Sequence, residues 1–285
     1  MAAYDPAEYW NSLSGSQMRL AEVGWPNWTE AYNAARYQLA LEQLSAVLDA
    51  HCATPPQRIV EVGCGVGFWT EALLHRFPRA EYTGVDISRR AVERLAERHA
   101  GEPRVRFVCA DVSEATLPAG ADLVVCFEVL LHIVDDARWR RAVAAIGACV
   151  APGGLVLISD PVSVHAAPPQ LGPEANCRMR HLDEWERLLR EQDLELLEIQ
   201  PRTLLLDNNF DFRTRAAAQA WRQFFRVYNR VLSIPFEPLG AALGRVAYHV
   251  DRRYARRGRL GHSCKLLVLR KRDARSSTAR TIPPP

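Results

Sequence analysis

The chain has 285 residues, 48% of them hydrophobic, and a formal net charge of +3. That length can bury a sizeable core as one domain, or as one domain with an insertion, while so small a charge does not imply nucleic acid as a partner. No apolar run approaches the roughly 18 residues of a membrane span, and the start, MAAYDPAEYW, lacks the basic-then-apolar pattern of a signal peptide.

The segment up to Thr54 reads as a helical cap, residues 1–54, with an unusual share of aromatics: Tyr9, Trp10, Trp25, Trp28, Tyr32 and Tyr37. Thr54-Pro55-Pro56 ends it. From Arg58 to Asp160, short apolar runs near 58–62, 81–86, 104–109, 121–127 and 154–159 alternate with helical patterns. This predicts a parallel sheet with helices on both faces. The first strand runs into IVEVGCGVGFWT, where Glu61 precedes glycines at 63, 65 and 67, and a helix is predicted over Val66 to Phe77. Glycines in so tight a turn let backbone approach a ligand that any Cβ would exclude. The second strand, EYTGVD, ends in Asp86, where a nucleotide-binding βαβ unit keeps its ribose-binding carboxylate.

The spacing narrows the ligand. A dinucleotide fingerprint is G-x-G-x-x-G, whereas Gly67 comes one residue early and Phe68 fills the expected place. No Gly-Lys-Ser/Thr follows, so the turn is not a P-loop. Glu61 would repel a pyrophosphate and suits a cationic ligand.

Beyond the fifth strand come a proline- and alanine-rich loop, Pro161 to Cys177, a helix over His181 to Gln192, and a sixth strand over Leu194 to Leu206. These close a core of residues 55–206. An insertion, 207–263, carries helical patterns over Thr214 to Leu232 and Pro238 to Ala255. In the first, Trp221, Phe224, Phe225, Tyr228 and Leu232 recur at helical spacing. The second runs into Arg252-Arg253, Arg256-Arg257 and Arg259. Three readings of 214–259 stay open: a solvated charged face, a lid whose arginines meet phosphate, carboxylate or an anionic membrane surface, and, third for want of periodic basic–aromatic interleaving, a nucleic-acid groove. A last strand, 264–272, precedes a polar, proline-ended tail, 273–285, expected to be disordered. The seven cysteines are scattered without a C-x-x-C pair. They read as small buried hydrophobes of a reducing, cytoplasmic setting, with neither a zinc site nor a disulfide framework.

Five motifs in order, EVGCGVG (61–67), GVDIS (84–88), ADV (110–112), DLVVCFEVLLHI (122–133) and PGGLVLISD (152–160), make the stretch Arg58 to Asp160 resemble the class I S-adenosylmethionine-dependent methyltransferases. The resemblance implies a Rossmann-like seven-stranded sheet with an antiparallel last strand, and S-adenosyl-L-methionine as cofactor. It also implies roles. Glu61 and the backbone of Gly63, Cys64, Gly65 and Gly67 would hold the methionine portion. Asp86 would accept both ribose hydroxyls, and Ile87 would pack on the adenine. Asp111 would accept the adenine amino group, Val112 would donate its N–H to the ring, and the Phe127 carbonyl would meet the methionine ammonium. Helices ahead of the first strand often close over the site in this family, which offers a lid role for the aromatic cap.

Candidate bases belong at the C-terminal ends of strands, where ligands bind in open α/β sheets. His132, just past the fourth strand, leads, with helix packing or cofactor contact as its competing roles; Asp160 and His165 follow the fifth strand. Asp135-Asp136 resembles a helix start more than a cation site, so no metal is expected. The chain lacks the Asn/Asp-Pro-Pro-Tyr run and the Pro-Cys nucleophile of nucleic-acid-modifying members. The expectation is methyl transfer to a small molecule, at a natural-product or saccharide hydroxyl. Rivals are a lipid-linked or isoprenoid acceptor at a membrane surface, an N or C acceptor, and a cofactor-binding protein without turnover.

Overall fold

A computed structural model describes residues 4–13, 19–165, 176–209, 211–256 and 263–273. The tail after 273, Arg257, Arg259 and most of the loop after the fifth strand lie outside the described residues. Three helices open the chain: α1 (Pro6–Leu13), α2 (Leu20–Val23) and α3 (Glu30–His51), the last capped by the Thr29 hydroxyl, which accepts from the Tyr32 amide. The core follows as β1 (Arg58–Val62), α4 (Phe68–Arg76), β2 (Glu81–Asp86), α5 (Arg89–Arg98), β3 (Val105–Cys109), β4 (Ala121–Phe127), α6 (Asp136–Cys149) and β5 (Val150–Ser163). A two-residue β6 (Arg180–His181), α7 (Leu182–Glu191), β7 (Leu194–Pro201), α8 (Arg215–Leu232), α9 (Glu237–Ala255) and β8 (Cys264–Lys271) complete it.

The main sheet has seven strands in the order β3-β2-β1-β4-β5-β8-β7, with β6 pairing only to β5. Strands β1 to β5 run parallel, and β8 is antiparallel to both β5 and β7. This is the Rossmann-like arrangement. Strand side chains alternate between two apolar layers. Val60, Val124 and Val156 pack with Trp139 of α6 and Trp185 of α7, whereas Ile59, Leu123 and Leu155 pack with Leu44 of α3 and Leu73 of α4. Buried on both faces, the strands are near-continuous apolar runs.

Two boundaries differ from the sequence expectation for physical reasons. The first core helix starts at Phe68, two residues late, because Gly67 caps it at φ +84°. The sixth strand stops at Pro201 instead of Leu206. Past it, the amides of Leu204, Leu205 and Leu206 donate to the buried Asp251 carboxylate of α9, so they have no ladder to join. Helices α8 and α9 then pack on α3. A Cβ at Gly240 would run into the Thr29 side chain, and one at Gly244 would sit 3.1 Å from the Ala35 Cβ. Among the described residues no helix is long and apolar enough to cross a membrane.

Candidate functional site

The strand order reverses between β1 and β4, and ligands of such sheets bind in the crevice at that switch point. A cleft opens there. The turn after β1 forms one wall. Gly63 and Gly65 have φ of +81° and +47° and line the cleft with Cys64. A Cβ on Gly63 would run into Val129, and one on Gly65 would come within 3.2 Å of Val23. Gly67 does not line the cleft; a Cβ there would meet Leu95 at 2.5 Å, so it serves helix packing.

Glu61 also stands behind the turn, outside the lining, and is 1% exposed. It accepts hydrogen bonds from the hydroxyls of Thr70 (3.0 Å) and Tyr82, while its Oε1 has no partner. Burial pushes its carboxyl up to about 7 against these two donors. Glu61 thus stands directly behind the glycine turn, with one carboxylate oxygen committed to Thr70 and Tyr82 and the other unpartnered.

Asp86 and Ile87 line the cleft at the end of β2. Asp86 takes the Gly65 amide on Oδ2 and the Ser88 amide on Oδ1, both at 2.8 Å. Two of its four lone-pair sites remain, as many as two ribose hydroxyls need. Asp111 and Val112 line it after β3. Asp111 Oδ1 accepts both the amide and the hydroxyl of Ser113, at 2.8 and 2.6 Å, and Oδ2 accepts from Arg138. One lone-pair site is left, enough for an amino group. Burial raises the Asp111 carboxyl, but the Ser113 donors and Arg138 outweigh it and hold it low. Positive-φ glycines, one without room for a Cβ and one with little, and carboxylates with these lone pairs to spare, fit a nucleoside-bearing ligand.

Phe127 ends β4 and lines the cleft, and Glu128 follows at φ +60°, a left-handed conformation few residues other than glycine adopt. Its carboxylate is clamped by Arg36 of α3 (2.6 Å) and Arg202 beyond β7 (3.2 Å), and Arg36 also reaches Asp207 (3.2 Å). Burial alone would raise Glu128; the two guanidiniums prevail and lower it. His132 closes a short 3₁₀ turn, Leu130–His132, and lines the cleft. Its Nδ1 lies 2.8 Å from the Asn176 carbonyl oxygen, so Nδ1–H donates and Nε2 keeps the lone pair. The Trp10 ring of α1 meets it edge-on at 4.8 Å. Burial lowers its pKa, outweighing the Asn176 carbonyl and Glu128, and keeps the imidazole neutral at pH 7.

The other two nominated bases lie apart from the cleft lining. Asp160 is 2% exposed with Oδ1 unpartnered, and burial holds its carboxyl well above the usual range. His165 is exposed, and its amide donates to Asp211. Residues the sequence reading did not nominate complete the walls: Tyr4 and Pro6 of the amino-terminal segment, Val23, and Arg138. Arg36 and Arg202 behind Glu128 were also unforeseen. One signal existed for Arg36, because Asn33, Arg36 and Gln43 are polar residues on the buried side of α3. Among the described residues no group of His, Cys, Asp or Glu could hold a metal ion.

Residues 59–154 match the family model described as a methyltransferase domain. A malonyl-[acyl-carrier protein] O-methyltransferase of Anoxybacillus flavithermus is 34% identical over 90 residues, 32% of this chain and 34% of that protein. A ubiquinone biosynthesis O-methyltransferase of Stutzerimonas stutzeri is 34% identical over 115 residues, 39% of this chain and 47% of that protein. The chain thus spans less than half the length of these two curated relatives. Among solved structures, the O-methyltransferase from the trans-AT PKS multienzyme of Brevibacillus brevis, in complex with S-adenosyl-L-homocysteine, has a TM-score of 0.55 at 19% identity. It covers 83% of this chain and 72% of its own, a likeness of fold.

Proposed function

We infer that this chain, which carries a class I S-adenosylmethionine-dependent methyltransferase domain, transfers a methyl group to a hydroxyl oxygen of a small molecule, such as a natural product or saccharide. The observation that carries the reading is His132, a neutral imidazole in the same cleft as Asp86 and Asp111, with its tautomer set by the Asn176 carbonyl. The O-methyltransferase names of the relatives support oxygen as the acceptor atom.

S-adenosylmethionine supplies the methyl group on a sulfonium, whose leaving group departs neutral. The glycine turn and Asp86 would hold the nucleoside and methionine ends, Asp111 and Val112 the adenine. Alignment of this kind contributes up to about 7–11 kcal/mol in favourable cases. His132 Nε2 would take the proton from the acceptor hydroxyl, worth roughly a hundred- to ten-thousandfold. Glu128, fixed by Arg36 and Arg202, presents a carboxylate that favours the imidazolium formed in that step.

The test is a labelled-methyl transfer screen of the purified chain against small-molecule hydroxyl acceptors, with calorimetry of S-adenosylhomocysteine binding alongside. His132→Ala should retain product affinity and lose turnover at least about a hundredfold. Undiminished turnover would return His132 to a packing role. Binding without transfer across the panel would favour a non-catalytic cofactor-binding protein.

A further inference from the structure

We propose that the outer face of the α8–α9 pair is a docking surface for an anionic phospholipid bilayer. The reading does not depend on methyl transfer, because it rests on a different part of the molecule.

Both helices turn one face inward. On α8, Phe225 and Leu232 are buried at i and i+7, with Trp221 and Tyr228 packed beside them against Trp28 and Tyr32. On α9, Gly240, Gly244, Ala247 and Asp251 are buried at i, i+4, i+7 and i+11. What remains outside is cationic and apolar together. Residues 213–256 contain nine arginines and two acids, Glu237 and Asp251, and no lysine. Neither acid offsets the outer charge. The Glu237 carboxylate accepts from the Glu30 and Ala31 amides at the start of α3, at 3.1 and 3.0 Å, and Asp251 is buried. Of the nine arginines, only Arg252 has an acidic partner among the described residues, Glu42 at 3.0 Å.

Large apolar side chains stand exposed among these charges. Val227 and Val246 are each 61% exposed, and Phe236, in the turn joining the helices, is 57% exposed. A soluble polyanion would use the arginines and leave Val227, Val246 and Phe236 in water. A second copy of this chain would set like charges against each other. An interface with anionic headgroups outside and acyl chains beneath satisfies both kinds of residue at once. The inner face of α8, opposite the docking surface, reaches toward the cleft: Phe225 lies 6.4 Å from the Trp25 ring, two residues beyond Val23 of the cleft lining.

The experiment is co-sedimentation of the full chain with phosphatidylcholine vesicles, with and without phosphatidylglycerol. The protein should pellet with the anionic vesicles at about 0.1 M salt and be released near 1 M, where the screening length falls from about 10 to about 3 Å. Each arginine near such a surface is worth about fivefold, so Arg226→Glu/Arg230→Glu should weaken binding at least about twenty-fivefold. Val227→Ser/Phe236→Ser should weaken it while leaving its salt dependence in place. Unchanged thermal melting certifies that the variants are folded. The proposal fails if pure phosphatidylcholine vesicles bind equally well, or if the charge-reversed variant binds like the wild type. It fails too if anionic vesicles leave the protein in the supernatant while a soluble polyanion captures it.

Discussion

Glu61 and Val62 are neighbours in sequence with opposite fates, because successive strand side chains point to opposite faces. Val62 lines the cleft; Glu61 faces Thr70 and Tyr82 in the layer behind it. The acid therefore braces the glycine turn from behind and does so at a cost that depends on pH. Its folded-state pKa is about 7 against an ordinary value of 4.5, raised by burial. A raised pKa means the folded state favours the proton. The associated stabilisation is complete below pH 4.5 and lost as pH rises through 7, at most about 3 kcal/mol for a shift of that size. Glu61→Gln keeps an acceptor for both hydroxyls and removes the titration. Denaturant midpoints of wild type and variant should converge at pH 4.5 and separate above 7, with the variant the more stable. A variant that loses stability equally at every pH would show that the carboxylate is not the titrating group.

At the scale of elements, Arg36, Glu128, Asp207 and Arg202 tie α3, the end of β4 and the strap after β7 into one buried cluster of two cations and two anions. Removing one partner leaves charges with little access to water unpaired. Arg36→Met should cost about 3–5 kcal/mol of stability, and adding Asp207→Asn should restore part of it, both read by thermal denaturation. Additive losses in the double variant would refute coupling through Arg36. This cluster also marks where sequence reading stops. Alternation of apolar runs with helical patterns made β1 to β5 and β8 legible, and glycine spacing with Asp86 pointed to the cleft that Gly63, Gly65 and Asp86 line, because those signals are local. The partners of Glu128 lie 92 residues before it and 74 after it. No periodicity encodes such a meeting. The early end of β7 has the same origin, since Asp251, which draws away the amides of 204–206, sits some 45 residues downstream.

For the whole molecule, the cleft lies between a core that binds and an amino-terminal segment that covers. Trp10 and Pro6 of α1, and Tyr4 just before it, line the cleft, so α1 stands over it. One residue pins it there. Asn11 Oδ1 accepts from the Ser88 hydroxyl and the Arg90 amide, each at 3.3 Å, and the Asn11 carbonyl accepts from the Arg90 guanidinium at 3.3 Å. Ser88 is two residues from Asp86, and its own amide already holds that carboxylate. The pin therefore joins the cover to the segment that would grip the ribose. Only two of its three bonds use the Asn11 side chain. Removing them loosens the cover without touching the core, and a typical hydrogen bond contributes about 1 kcal/mol net. Asn11→Ala should thus speed dissociation of S-adenosylhomocysteine about five- to twenty-fivefold, measured by stopped-flow tryptophan fluorescence, while the ligand-free melting temperature stays unchanged. Slower association with an unchanged off-rate would mean instead that α1 guides the ligand in, and the pin would then have no part in holding it.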